Sequence, residues 1–200
     1  MAASVIEVRS ALAILVISLP AAAAPLEMRY LRSENLHIAN QGGAINWHDE
    51  VTLRLELRAN GKLVGTEQGK AREHNLHDRY TTEELQEWTH RWSGTWKQTG
   101  DKLALEVVLD GRKCTHTRKP SDGKLEQLTC GKVSAKLHFD CTTQQVPLLT
   151  PARIQPKAEV WQCLPAGTVD LDRTPTPWTF GKARCVKMLG GRTGLSYEPC

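Results

Sequence analysis

Val51-Thr-Leu-Arg-Leu-Glu-Leu-Arg58 alternates without a break. Val51, Leu53, Leu55 and Leu57 share one side, and Thr52, Arg54, Glu56 and Arg58 share the other. Period two belongs to a strand with one dry and one wet face. Asn60-Gly61 follows directly, the dipeptide best able to take the two positive φ angles of a type I′ hairpin turn. Leu63-Val64 then opens the return strand.

The same reading extends along the chain. Gly100-Asp101 predicts a hairpin joining 95–98 to 103–109, where Leu103, Leu105, Val107 and Leu109 share a face. Asp110-Gly111 reads as another turn. If Gly131-Lys132 is a two-residue turn, Leu128, Cys130, Val133, Ala135, Leu137 and Phe139 fall on one face. The polar loop 119–124 lets 113–118 pair with 125–130, which brings Cys114 to Cys130. Residues 81–94 admit two readings. Thr81 and Glu84 could form a helix capping box with Gly94 as the stop. As a strand, Trp88, His90, Trp92 and Trp96 share a face, and the flanking hairpins favour that reading.

The first residues read as an address. Residues 11–19 form a short apolar core preceded by Arg9, and Pro20 and a run of alanines follow. That is the plan of a secretory signal peptide with cleavage after Ala23. No stretch reaches the roughly 18 apolar residues of a membrane span, so the processed chain is expected to be secreted or periplasmic, without a span. In an oxidising compartment six cysteines imply three disulfides. The expected pairs are Cys114–Cys130, Cys141–Cys163 and Cys185–Cys200. The lack of any Cys-x-x-Cys argues against a zinc knuckle. Leu, Ile, Val and Phe make only about a fifth of residues 24–200, a thin supply for a core, so bridges contributing roughly 2–4 kcal/mol each would matter.

The expected fold is all-β: an antiparallel meander forming a barrel or sandwich over residues 24–145. A proline-rich, disulfide-tied segment, 146–200, is expected to pack on it, with strands near 158–164 and 180–189. Charge also divides by region: residues 24–110 carry net −3 and residues 111–200 net +7. Most of that basic excess suits a solvated surface. Lys182, Arg184 and Lys187 come nearest to a patch for an anionic polymer.

Catalytic signatures are sparse. His74-Asn-Leu-His77-Asp78 groups residue types that hold Zn²⁺ or Cu²⁺, the basis of a metal-dependent hydrolase reading, although polar loop residues explain them as well. Ser93 lacks the glycine spacing of a nucleophile elbow. Glu83, Glu84 and Glu87 are too close together for opposed acid and base. No cofactor is implied, and no specific nucleic-acid motif occurs.

The tryptophans are the better lead. Trp88, Trp92 and Trp96, with His90, could form a stripe that stacks on a sugar or an apolar ligand, and large rings are equally good core filler. Gly94-Thr-Trp96, with the hairpin after it, resembles the Gly-x-Trp strand of lipocalin-like secreted bacterial β-barrels. That resemblance rests on Gly94 and Trp96 and implies a Trp closing one barrel end, over an interior able to hold a small apolar ligand. The functional expectation is therefore a protein that binds, either a small apolar ligand or an envelope or extracellular polymer. The alternatives are a surface interaction protein or inhibitor using the basic C-terminal half, and the hydrolase centred on His74 and His77.

Overall fold

A computed structural model describes residues 25–38, 43–77, 80–118, 125–150, 156–166, 177–182, 185–191 and 194–200. The expected signal peptide lies outside the described residues. The described chain is all strand: β1 (Leu26–Ile38), β2 (Gly43–Leu57), β3 (Lys62–His77), β4 (Tyr80–Thr99), β5 (Lys102–Arg118), β6 (Leu125–Pro147), β7 (Lys157–Pro165), β8 (Trp178–Gly181), β9 (Val186–Gly191) and β10 (Gly194–Pro199). They form one sheet in the order β10-β9-β1-β2-β3-β4-β5-β6-β7-β8. The sheet curls into a half-barrel, bringing β8 against β1 and β9. Neighbours are antiparallel except β1 and β9, which run parallel.

Paired residues share a side of the sheet, so the alternation of Val51–Leu57 propagates from strand to strand. Leu53 sits opposite Met28 on one side and Glu67 on the other, and Glu67 sits opposite His90. Leu105 sits opposite Trp96 and Phe139. This inner face carries the core: Met28, Leu53, Leu55, Leu63, Trp92, Leu103, Leu105, Leu109 and Phe139 are all fully buried. Each such side chain contributes roughly 1.5–3 kcal/mol by leaving water. Trp178 and Phe180 of β8 close over it. The tail thus supplies strands to both edges of the sheet, β7 and β8 at one and β9 and β10 at the other.

The long strands run past this core. Beyond it the inner face carries Glu73, Glu84, Gln86, Thr115, Thr117 and Thr129, all at least partly exposed. One half of β2–β6 is therefore filled and the other largely open, with Asp49 and Ala71 of β2 and β3 the exceptions.

Disulfides join Cys114 to Cys130, Cys141 to Cys163 and Cys185 to Cys200, the pairs expected from the sequence, with no free cysteine. They fit an oxidising, extracellular type of environment. Cys141 and Cys163 are buried on the inner face, whereas Cys130 is exposed.

The favoured strand reading of residues 81–94 is the observed one, and several other local expectations change. Residues 81–94 belong to strand β4, since Trp92 and Trp88 bury on the same side as Leu109 and Leu53. Asp110-Gly111 and Gly131-Lys132 are not turns, because β5 and β6 run straight through them. Gly111 is needed for close approach: a Cβ there would stand 2.2 Å from the Thr89 carbonyl oxygen and 2.6 Å from the His90 ring. With β6 continuous, Leu128 and Cys130 lie on the face opposite Val133. Residues 180–189 split into β8 and β9. The Asn60-Gly61 loop differs from a two-residue turn: Gly61 N–H donates to Arg58 O at 3.0 Å and Arg58 N–H to Lys62 O at 2.8 Å. Gly61 alone supplies the glycine left-handed φ of 74°, and Asn60 Oδ1 accepts from Lys62 N–H instead. This is the three-residue, bulged hairpin.

Candidate functional site

Three of the four residues expected to form an aromatic stripe meet around a side chain that the sequence reading did not single out. Glu67 of β3 lies on the inner face and is 2% exposed. Trp88 Nε1–H donates to Glu67 Oε1 at 2.8 Å, and Trp92 Nε1–H donates to Oε2 at 3.0 Å. His90 Nδ1 stands 3.4 Å from Oε2 and is equally buried. Removing a carboxylate from water costs several kcal/mol unless its lone pairs are filled. Here the indole donors fill them, and a buried tryptophan needs such a partner for its N–H. The Trp88 ring lies over Gly69, where a Cβ would come within 2.0 Å of ring carbons. Local periodicity carried a usable signal for Glu67: Leu63, Gly65, Glu67, Gly69 and Ala71 all fall on the inward phase of β3.

Trp92 is also one corner of an aromatic cluster. Its ring lies 5.8 Å from Phe139 and 5.3 Å from Trp178, and those two are 5.3 Å apart. The clefts recorded among the described residues do not include Trp92 in their walls. Trp96 stands apart, half-buried at the hairpin end of the core, and its Nε1–H donates to Arg58 O at 2.9 Å.

The main clefts open instead on the outer face. One, of about 530 Å³, crosses β2–β5. Two rungs build it. Glu50, Lys70 and Glu87 sit opposite one another on successive strands, with Cys114 beyond, and Lys70 pairs with Glu87 at 3.2 Å. The next rung is Thr52, Gln68, Thr89 and Arg112. His116 stands at one end, and Gly69 and Trp88 reach the floor.

A second outer cleft, about 450 Å³, lies over β1–β3 and is walled by Ser33, Asn35, Asn46, His48, Arg72 and His74. Beside it, Glu83 takes the Arg118 guanidinium and lies 3.3 Å from Arg72. The Arg118 hydrogen bond, with the charges of Arg118, Arg72 and His74, outweighs burial and holds the Glu83 carboxyl below the usual range. At a third cleft on β5 and β6, burial pulls the His138 imidazole down. The hydrogen bonds and charges of Glu106 and Asp140 outweigh it and raise the ring's pKa overall.

The remaining expected site residues are described only in part. His74 is half-buried on the outer face, and a spacing of three along β3 puts positions 74 and 77 on opposite faces. The His77 side chain and Asp78 lie outside the described residues. Among the described residues no group of three His, Cys, Asp or Glu stands where one metal ion could be shared. Lys182 is a strut: it pairs with Glu159 at 3.2 Å, donates to Thr143 Oγ1 at 3.3 Å and lies 4.5 Å over the Trp161 ring. Lys187 pairs with Glu198 at 2.9 Å. Arg184 lies outside the described residues.

The chain matches no known protein family, no curated protein and no solved structure.

Proposed function

We propose that this protein is exported through its N-terminal leader and works outside the cytoplasm as a binding protein. Its ligand is an extended polar chain, an envelope or extracellular polymer, seated on the outer face of β2–β5. The observation that carries this reading is the contrast between the two faces. The inner face is packed with Trp92, Phe139 and Trp178, while a cleft of about 530 Å³ lined by hydroxyl, amide and charged groups crosses the outer face. Ligand sites are concave, and a few convergent polar groups fix the ligand's orientation in them. The three disulfides suit the proposed compartment.

The test is titration of the processed protein against an array of neutral and charged polysaccharides. Gln68→Trp, which fills the outer cleft from an exposed position, is expected to weaken binding at least tenfold without changing the far-ultraviolet circular dichroism. The lipocalin-like alternative draws on Gly94 and on Trp96 at the core's end, and places an apolar ligand inside. A saturable titration with a fluorescent fatty acid, weakened by Trp96→Ala and indifferent to Gln68→Trp, would replace the polar reading with that one.

A further inference from the structure

Many basic side chains of the described residues are paired. Arg29 meets Glu27, Arg32 meets Asp49 and Glu34, Arg58 meets Glu56, Lys187 meets Glu198, and on the outer face Lys70 meets Glu87 and Arg72 meets Glu83. Four in the middle of the outer face are not. Arg112 and Lys132 sit directly opposite each other on β5 and β6. One rung away, Arg91 on β4 and Arg54 on β2 share the same side of the sheet, joined through Thr66. All four are exposed, and none has an ion pair among the described residues. Asp110, directly opposite Arg91, takes the Ser134 hydroxyl. Like charges directly opposite on a sheet repel and destabilise it, so this arrangement is unfavourable unless an anion lies across it.

We propose that these four side chains bind an anionic polysaccharide, with the sugar chain continuing into the neighbouring cleft. This deepens the polymer-binding reading above and rests on it. Adjacent strands are about 4.8 Å apart, so the patch spans roughly 19 Å from β2 to β6, the length of several sugar units. Arg and Lys meet sulfate or carboxylate groups, with bidentate geometry available to Arg. Between them Thr66, Gln68, Thr89 and Ser134 present hydroxyl and amide groups that match sugar hydroxyls. A single-stranded nucleic acid would call for exposed aromatic stacking platforms, and a membrane surface for apolar anchors beside the charge; neither stands among these rungs. Lys182 and Lys187 are already held by carboxylates, which moves the anion site from the tail to the sheet.

The experiment measures binding of the full processed protein to dextran sulfate, polygalacturonate and uncharged dextran across a salt series. Phosphatidylglycerol vesicles and a single-stranded oligonucleotide are run in parallel. Arg112→Ser with Lys132→Ser is expected to weaken binding to the charged polysaccharides at least tenfold and to flatten the salt slope, because fewer counterions are released. Lys97→Ser with Lys102→Ser removes the same net charge at the hairpin end and is expected to stay within twofold. Arg112→Lys with Lys132→Arg should retain binding within threefold, which separates lost charge from misfolding. Equal losses in the two serine pairs would overturn the patch. Preference for vesicles or oligonucleotide would overturn the ligand class. Binding to uncharged dextran that is sensitive to Gln68→Trp but not to the serine pair would overturn this inference and leave the polymer reading standing. No saturable binding to any polysaccharide would sink both.

Discussion

The same strands live in two different environments. Near the Gly100 hairpin, β2–β6 bury Leu53, Leu105, Trp92 and Phe139 under β8. Toward their other ends the same face carries Glu84, Gln86, Thr115 and Thr117, partly exposed. The boundary is chemical: Glu67, His90 and Trp88 stand at the edge of the packed core, with only Asp49 and Ala71 buried beyond them, and Gly69 and Gly111 give their rings room. A long strand does not therefore imply a long core. Backbone pairing extends the sheet as far as registers match, and burial extends only as far as something covers it.

The largest effect should come from that boundary. Glu67→Ala strands two indole N–H groups in the filled half, at about 1–3 kcal/mol each, and opens a void. A loss of about 3–5 kcal/mol is expected, read as the urea midpoint. Since whole-domain stability is roughly 5–15 kcal/mol, this substitution should remove a large part of it. A loss under about 1 kcal/mol would show that the boundary is no barrier.

A smaller effect separates the halves by pH. In the open half, the Glu83 carboxyl is held down by Arg118 and Arg72. Its stabilisation is present above the ordinary carboxylate value of 4.5 and is lost as pH falls through the depressed folded value. In the filled half, burial and then the Asp49 charge push Tyr30 up to about 12. Its contribution is complete below the ordinary phenol value of 10.0 and is lost as pH rises from there toward 12. Acid should loosen the open half and alkali the filled half. Arg118→Gln should cut the acid-sensitive part alone, by at most about 1 kcal/mol. Amide exchange followed along the strands would check both; one uniform profile at the two extremes would erase the distinction.

The smallest effect lies furthest from cover. Thr115→Ala on the open inner face should change stability by less than about 0.5 kcal/mol. Thermal unfolding would reveal a hidden partner if the change were several times larger.

These contrasts explain what was legible in the sequence. Val51–Leu57 and Leu103–Leu109 alternate between apolar and polar residues, and their strands, faces and hairpins follow from that. Cys114–Cys130 followed from strand pairing across the 119–124 loop and Cys141–Cys163 from the length of strand that separates Cys141 from Cys130, while Cys185–Cys200 was the pair left over. Gly111 and Gly131 misled because a glycine in a turn and a glycine in a strand interior look the same in one dimension. What distinguishes Gly111 is the Thr89 carbonyl across the sheet, brought there by pairing. Glu67 hid for a related reason: a glutamate on the inward phase reads as a polar interruption until its two donors, 21 and 25 residues along, are in place. The unpaired basic patch was equally invisible, since Arg54, Arg91, Arg112 and Lys132 are scattered until four strands align them. Lys182 and Lys187 appeared clustered in sequence, and folding spends them on Glu159 and Glu198.

The strand order carries a consequence for how the chain is made. β1 is paired along its length by β2, and at Arg29–Arg32 its other side is met by β9, which begins at Val186, with β10 outside it. That edge of β1 therefore stays open until a strand more than a hundred residues further along has come back to it. Pairing across so long a stretch of chain is slow to form, which makes closing the edge of β1 a late step, and the Cys185–Cys200 bridge then fastens the strands that close it.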